Sequence, residues 1–277
     1  MALRINTNIA ALNAHRQLSN TDAQLRVSME RLSSGYRINR SMDDVAGLAI
    51  ANKFRMEVRA LRAAQQNVSQ GQSLLQVAEG GTTKIENIVE RLKELAISAA
   101  SDNTDSDGRT RLNAEAGALL AEIDQIANDT KYSGVALLNA AINMTFQVGS
   151  GATAAEDRIN VTTTAGLLSN ALGLNSLSLT SVSSAQTALT SIDNALASVN
   201  LVTGEIGAAS SRMEFSAGNL QIAIENLDAS HSAIRDVDMA LEMTTLTKNQ
   251  ILLQAGTAML AQANMLPQSV LSLLGSR

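Results

Sequence analysis

The chain has 277 residues, 21 Lys and Arg against 26 Asp and Glu, a formal net charge of −5, no Cys and only 2% aromatic residues. Without a basic block or rings to stack on bases, the composition argues against nucleic acid as a partner; without Cys it excludes disulfides, zinc–thiolate sites and thiol nucleophiles. The 45% hydrophobic content is mostly Ala, Leu, Ile and Val, and Pro occurs once, at Pro267, a balance that suits long packed helices.

The N-terminal stretch MALRINTNIAALNAH has neither the apolar core nor the small-residue cleavage site of a signal peptide, which taken alone points to a cytosolic protein. Ala11, Leu18, Leu25 and Leu32 fall seven apart and predict a first amphipathic helix. In SMDDVAG, Ser41 stands three residues before Asp44, a capping-box-like start with acids on the first turn. From there to about Ala100, Phe54, Leu61, Val68, Leu75, Thr82, Val89 and Ala96 keep the sevenfold spacing. A second line, Ala64, Gly71, Ala78, Ile85, Leu92 and Ala99, runs three positions on. Heptads sustained this long predict a paired helix of roughly 85 Å.

SDNTDSDG at 101–108 breaks that helix, and RTRLNAEAGALLAEIDQIANDT restarts one, with Leu112, Ala116, Leu119, Ile123 and Ile126 on one face. KYSGV closes it. Met144, Phe146 and Val148, then Ile159 and Val161, alternate on either side of Gly-Ser-Gly-Ala and predict a small β-hairpin over about 144–161. Residues 164–184, rich in Ser, Thr and Leu, are weakly patterned and read as a loop with room for a short helix. Ile192, Val199, Ile206, Met213, Leu220 and Leu227 then form another sevenfold series.

The chain carries no charge from Asn249 to Ser276. A membrane span is a poor reading, because the longest unbroken apolar run is Ala258 to Ala261 and six amides are scattered through the segment. Leu252, Ala255, Met259, Ala263, Leu266, Val270 and Leu273 instead recur at gaps of three and four, one face of an amphipathic helix. The predicted fold is mainly α: a long, rod-like antiparallel coiled-coil bundle with a small β-hairpin. Three helices precede the hairpin and two follow it, bringing both termini to one end.

No pattern amounts to a catalytic or metal site. Gly149-Ser150-Gly151 lacks the Lys-Ser/Thr or GxGxxG context of a phosphate loop and reads as a turn. Asp43 and Asp44 are explained as helix-start acids. His15 and His231 have no evident acid or nucleophile partner and read as surface or interface residues.

Three segments carry a family resemblance. ERLSSGYRINRSMDDVAGLAIANKF (30–54) closely resembles the N-terminal signature of bacterial flagellin, and INTNIAALNAHRQL (5–18) looks like its start. QILLQAGTAMLAQANMLPQSVLSLL (250–274) resembles the C-terminal signature, with its Ala-Gln-Ala-Asn and Pro-Gln pairs, and KYSGVALL and TFQVG match the junction into the family's β-region. The residues between the halves, Gly134 to about Val182, are few, as in a short form lacking large variable outer domains.

The resemblance implies a structural protein, not an enzyme and without a cofactor: a subunit that self-assembles into the flagellar filament for motility, with a hook–filament junction protein as the alternative. A secreted coiled-coil effector or enzyme would need a catalytic set that the sequence does not offer. It also implies type III export without a cleaved leader, an extracellular location in the bacterial flagellum, and an export chaperone, filament cap and hook-junction proteins as partners. Residues 1–44 and 232–277 would form the inner, filament-core domain and 45–231 the outer domain. Leu18, Leu25, Leu32, Leu252, Met259, Leu266, Val270 and Leu273 would pack subunits together. ERLKELAIS (90–98) resembles the segment bound by host Toll-like receptor 5, which by motif match makes Arg91, Leu95 and Glu115 recognition candidates, with Leu95 read as an exposed anchor beside the seam.

Overall fold

The computed structural model describes residues 8–274, and side chains as far as Met265 except that of Ala154. The chain divides into two compact units, one holding the N-terminal part through Met56 with the residues from Asn226 on, the other Glu57–Glu225. Helix α2 (Val45–Ala99) begins in the first unit and α5 (Val182–Arg235) ends in it.

In the first unit α1 (Ile9–Ser34) pairs with α6 (Met239–Leu274). Asn8 caps α1, its side chain accepting from the Ala11 N–H at 3.0 Å, and Gly35 ends it at φ 75, donating its N–H to the Arg31 carbonyl. Asn8 also donates to the Ala263 carbonyl at 2.8 Å, Leu18 lies within 3.0 Å of where a Cβ on Gly256 would stand, and Arg31 reaches Glu242 at 3.8 Å. These three contacts make the pair antiparallel. Its inward residues are Leu18, Thr21, Leu25, Ser28 and Leu32 on α1, and Glu242, Leu246, Asn249, Leu253, Gly256, Leu260 and Ala263 on α6. The register sets large residues against small or polar ones: Leu18 meets Gly256, and Ser28 falls opposite Leu246. This interdigitation lets two helices approach closely without a thick core.

The segments that follow α1 and α5 are tied by a short antiparallel bridge, Tyr36 with Asp236. Arg37 donates its N–H to the Arg235 carbonyl at 2.7 Å, Val237 donates to the Gly35 carbonyl at 3.0 Å, and the Arg235 guanidinium lies 4.3 Å above the Tyr36 ring. Beyond the bridge Asp43 accepts the N–H groups of Arg40 and Asn39, and these bonds hold its carboxyl below the usual carboxylate range. Asp44, rather than Ser41, opens α2: its Oδ1 accepts from the Gly47 N–H at 2.8 Å. An Asp placed immediately before the first helical residue satisfies an orphan N–H directly, so the Ser is not needed.

In the second unit both predicted heptad lines of α2 are buried from Leu61 to Ala99. A third line seven apart, Leu74, Gly81, Ile88 and Leu95, is also buried or half-buried, because α2 has neighbours on two sides. Towards α5, Gln65 bonds to Gln221 and Lys93 pairs with Asp193 at 2.7 Å. Towards α3 (Ser106–Asp129), Arg91 pairs with Glu115. Thr82, in a core line, donates its hydroxyl to the Ala78 carbonyl, which satisfies the buried group within its own helix. The predicted series on α5 is buried from Ile192 to Leu220, with Leu227 half-exposed.

Helix α3 starts at Ser106, earlier than Arg109, because the Asp105 side chain accepts from the Gly108 N–H and caps it. Two-residue strands β1 (Lys131–Tyr132) and β2 (Val135–Ala136) follow, joined by Ser133 at φ 50 and Gly134 at φ 85, the positive pair that a tight primed hairpin turn requires. The larger hairpin pairs β3 (Asn143–Gln147) with β4 (Arg158–Thr162), Met144 opposite Val161 and Phe146 opposite Ile159. Its connection is longer than a simple Gly-Ser-Gly-Ala turn and includes one helical turn, α4 (Ala154–Asp157). The Asp157 carboxylate accepts the N–H groups of Gly151 and Thr153, and its carbonyl accepts those of Val148 and Gly149. A Cβ on Gly149 or Gly151 would run into that carboxylate. The need for glycine here is therefore close approach, not a left-handed backbone. Gly149→Val or Gly151→Val is expected to open the connection without unfolding the helices. The amide of Thr153 should then exchange faster with deuterium while the α5 core amides stay protected; unchanged exchange would show that Asp157 does not organise the turn.

The Leu-rich stretch after the hairpin contains no α-helix before α5 but is not a loose loop. Leu167, Leu174 and Leu179 are fully buried. The backbone is pinned by polar side chains of the helices: Ser169 donates to Asp124 from its N–H and its hydroxyl at 2.8 Å, Leu179 donates to Asn113 at 2.8 Å, and Thr164 to Glu205 at 2.8 Å. Irregular backbone can be buried only when its polar groups find such partners.

Candidate functional site

The α1–α6 pair presents more apolar surface than it uses. Helix α6 turns Leu253 and Leu260 towards α1 but leaves Ile251 60%, Leu252 45% and Met259 64% exposed. Ala255 is exposed as well, so three successive members of the predicted tail stripe lie on an open flank of α6, about 100° round from Leu253 and Leu260, and only Ala263 is turned inward. The Leu266, Val270 and Leu273 side chains lie outside the described residues. On α1 the outward apolar residues include Ile9, 58% exposed, Leu12, 64%, Val27, 41%, and Met29, 55%.

Leu18, Leu25 and Leu32 are different. They are half-buried and face α6, so within one chain they already hold the helix pair together. The sequence reading missed that α6 has two apolar faces. The signal was present in Ile251-Leu252-Leu253: three adjacent apolar residues point around most of a helix, which marks burial on more than one side.

The receptor candidates separate as well. Arg91 and Glu115 are exposed and joined at 3.0 Å, and Arg91 also reaches Glu94 at 2.7 Å; these bonds, that to Glu94 first, raise the pKa of the guanidinium above its ordinary value. Leu95 is only 3% exposed. The reading of Leu95 as an exposed anchor is therefore corrected: it belongs to the third core line of α2.

The remaining candidates stay structural. Asp43 and Asp44 serve the turn and the cap, and Gly149 to Gly151 lie in the hairpin connection. His15 is exposed and His231 half-buried. Among the described residues no helix is long and apolar enough to cross a membrane, and no three His, Asp or Glu side chains gather as metal ligands would.

One unit has long helices with a well-filled core, and in the other a thin helix pair leaves apolar side chains exposed, an arrangement that suits a structural protein packing against other copies. The comparisons with known proteins agree. The bacterial flagellin N-terminal helical region matches residues 5–143 and the C-terminal helical region residues 189–274. The flagellin of Bacillus subtilis (strain 168) is 40% identical over 98% of this chain and 100% of its own length. A flagellar filament 33 kDa core protein of Treponema phagedenis is 38% identical over 98% of this chain and 99% of its own length. A solved structure described as a flagellar hook-associated protein, from Vibrio parahaemolyticus, superposes with a TM-score of 0.57 at 12% identity, covering 70% of this chain and 100% of that one. That likeness concerns the fold alone.

The chain belongs to the bacterial flagellin family. Relatives matched over their full length are flagellins and filament core proteins, so the junction-protein alternative is not favoured.

Proposed function

We propose that this flagellin, a structural subunit of the bacterial flagellar filament, polymerises by burying the outward apolar faces of its α1–α6 pair against neighbouring copies. The observation that carries the proposal is the exposure of Leu252 and Met259 on a flank of α6 that α1 does not cover. Leu266, Val270 and Leu273 continue the same stripe in the sequence and join that interface in the proposal; Leu18, Leu25 and Leu32 contribute by holding the pair in shape. Residues 1–44 and 232–277 act as the filament-core domain and 45–231 as the outer domain. The chain acts as a building block without catalysis. Type III export places it outside the cell, with the export chaperone, filament cap and hook-junction proteins as its partners. Purified monomer seeded with filament fragments should elongate into long tubes visible by electron microscopy; a protein that caps the seeds without elongating them would instead be a junction component.

Recognition by Toll-like receptor 5 has a narrower basis. The exposed Arg91–Glu115 pair offers directional, charge-assisted hydrogen bonds to a partner. Arg91→Ala is expected to weaken monomer binding to the receptor ectodomain at least about tenfold. Leu95→Ala should act by lowering the melting temperature, through the core. Equal binding by wild type and Arg91→Ala would end this proposal and leave the filament role untouched.

A further inference from the structure

The chain has ten Met. Five of them lie on the α1–α6 pair, and all five are outward: Met29 is 55% exposed, Met239 49%, Met243 49%, Met259 64% and Met265 59%. In the second unit the pattern is the opposite, with Met213 fully buried and Met144 half-buried. Met is flexible and tolerant of irregular contacts, which suits a face that must pack against copies of itself. The same thioethers are the oxidisable groups of the chain, because there is no Cys to react first.

We propose that these five Met make polymerisation redox-sensitive: peroxide converts exposed thioethers of the free subunit to sulfoxides and so blocks its incorporation, while subunits already in the filament are shielded. Hydrogen peroxide transfers one oxygen atom to the sulfur. The thioether is oxidised to the sulfoxide, the peroxide O–O bond breaks, and one water leaves. The product is polar and chiral where the unmodified side chain was flexible and apolar. Its S=O group is solvated on the free monomer, but in a subunit interface it must find a donor or lose that solvation. Met213 is out of reach inside the second unit, so that unit keeps its fold. Met42 and Met56, 82% and 64% exposed, lie off the pair and leave it unaltered when oxidised; on the pair itself every methionine is accessible, while Met213 is protected in the core of the second unit. The inference rests on the filament reading above, and its test separates the two.

Monomer and preformed filament are treated in parallel with dilute hydrogen peroxide, and sulfoxide is located by peptide mass spectrometry. On the monomer Met259, Met243 and Met29 should oxidise and Met213 should not; in the filament the first three should be protected. Oxidised monomer should show a critical concentration raised at least about tenfold, with an unchanged melting transition for the second unit. A variant with all five changed to Leu should polymerise equally well before and after peroxide. If that variant does not polymerise at all, the wild-type protection pattern and its loss of assembly decide the matter. Oxidised wild type that assembles normally, or equal oxidation of these Met in monomer and filament, would overturn the inference. Untreated monomer that fails to elongate seeds would contradict the filament reading instead.

Discussion

Met259→Glu is expected to leave the monomer folded and to raise the critical concentration for polymerisation at least about 100-fold. Met259 is 64% exposed in the single chain, so a carboxylate there is hydrated and disturbs nothing. In the polymer the same carboxylate would be buried in an apolar contact, and desolvating a charge without a partner costs several kcal/mol, about 3 of which suffice for that change. Met259→Leu keeps the apolar character and should assemble normally. Sedimentation of dilution series measures both variants, and melting curves establish that the fold has not changed. Normal polymerisation of the Glu variant would mean that this face of α6 is not an interface.

Leu92→Ala is expected to act in the opposite way, on the fold and not on assembly contacts. Leu92 is fully buried in the second line of α2. Removing it should cost about 2–5 kcal/mol, which for a unit of this size lowers the melting temperature by roughly 4–20 °C. Leu18→Ala, at a half-buried position beside Gly256, should cost much less. Calorimetry of the monomer distinguishes the two. Equal losses would mean that the α1–α6 pair is as tightly packed as the second unit.

The parts of the fold that were legible in the sequence are those in which one helix face has one job. The α2 line from Leu61 to Ala96 and the α5 line from Ile192 to Leu220 are read directly, because a sevenfold apolar line meets a long partner helix. The β3–β4 hairpin was legible from the alternation of Met144, Phe146, Ile159 and Val161, but its register was not, because the connection is longer than the Gly-Ser-Gly-Ala turn and holds a helical turn. Legibility fails where a residue serves two neighbours. Leu95 falls outside the two lines chosen from the sequence, and only the packing of α3 against α2 accounts for a third. On α6 two apolar faces compete, and the choice between Leu252 with Met259 and Leu253 with Leu260 is made by Gly256, whose missing side chain admits Leu18. The stretch holding Leu167, Leu174 and Leu179 has no period to find. Its order comes from Asp124, Asn113 and Glu205, far away in the sequence. Reduction to a short form was legible only through the family resemblance, from the few residues between the two matched halves, and the Bacillus subtilis relative is matched over its whole length.

A filament reconstruction at side-chain resolution tests the central claim most directly. The account expects the α1–α6 pairing to persist in every subunit, with Leu252 and Met259 buried against neighbouring copies. A filament in which those two side chains face solvent or the open channel, while subunits are held together elsewhere, would contradict it.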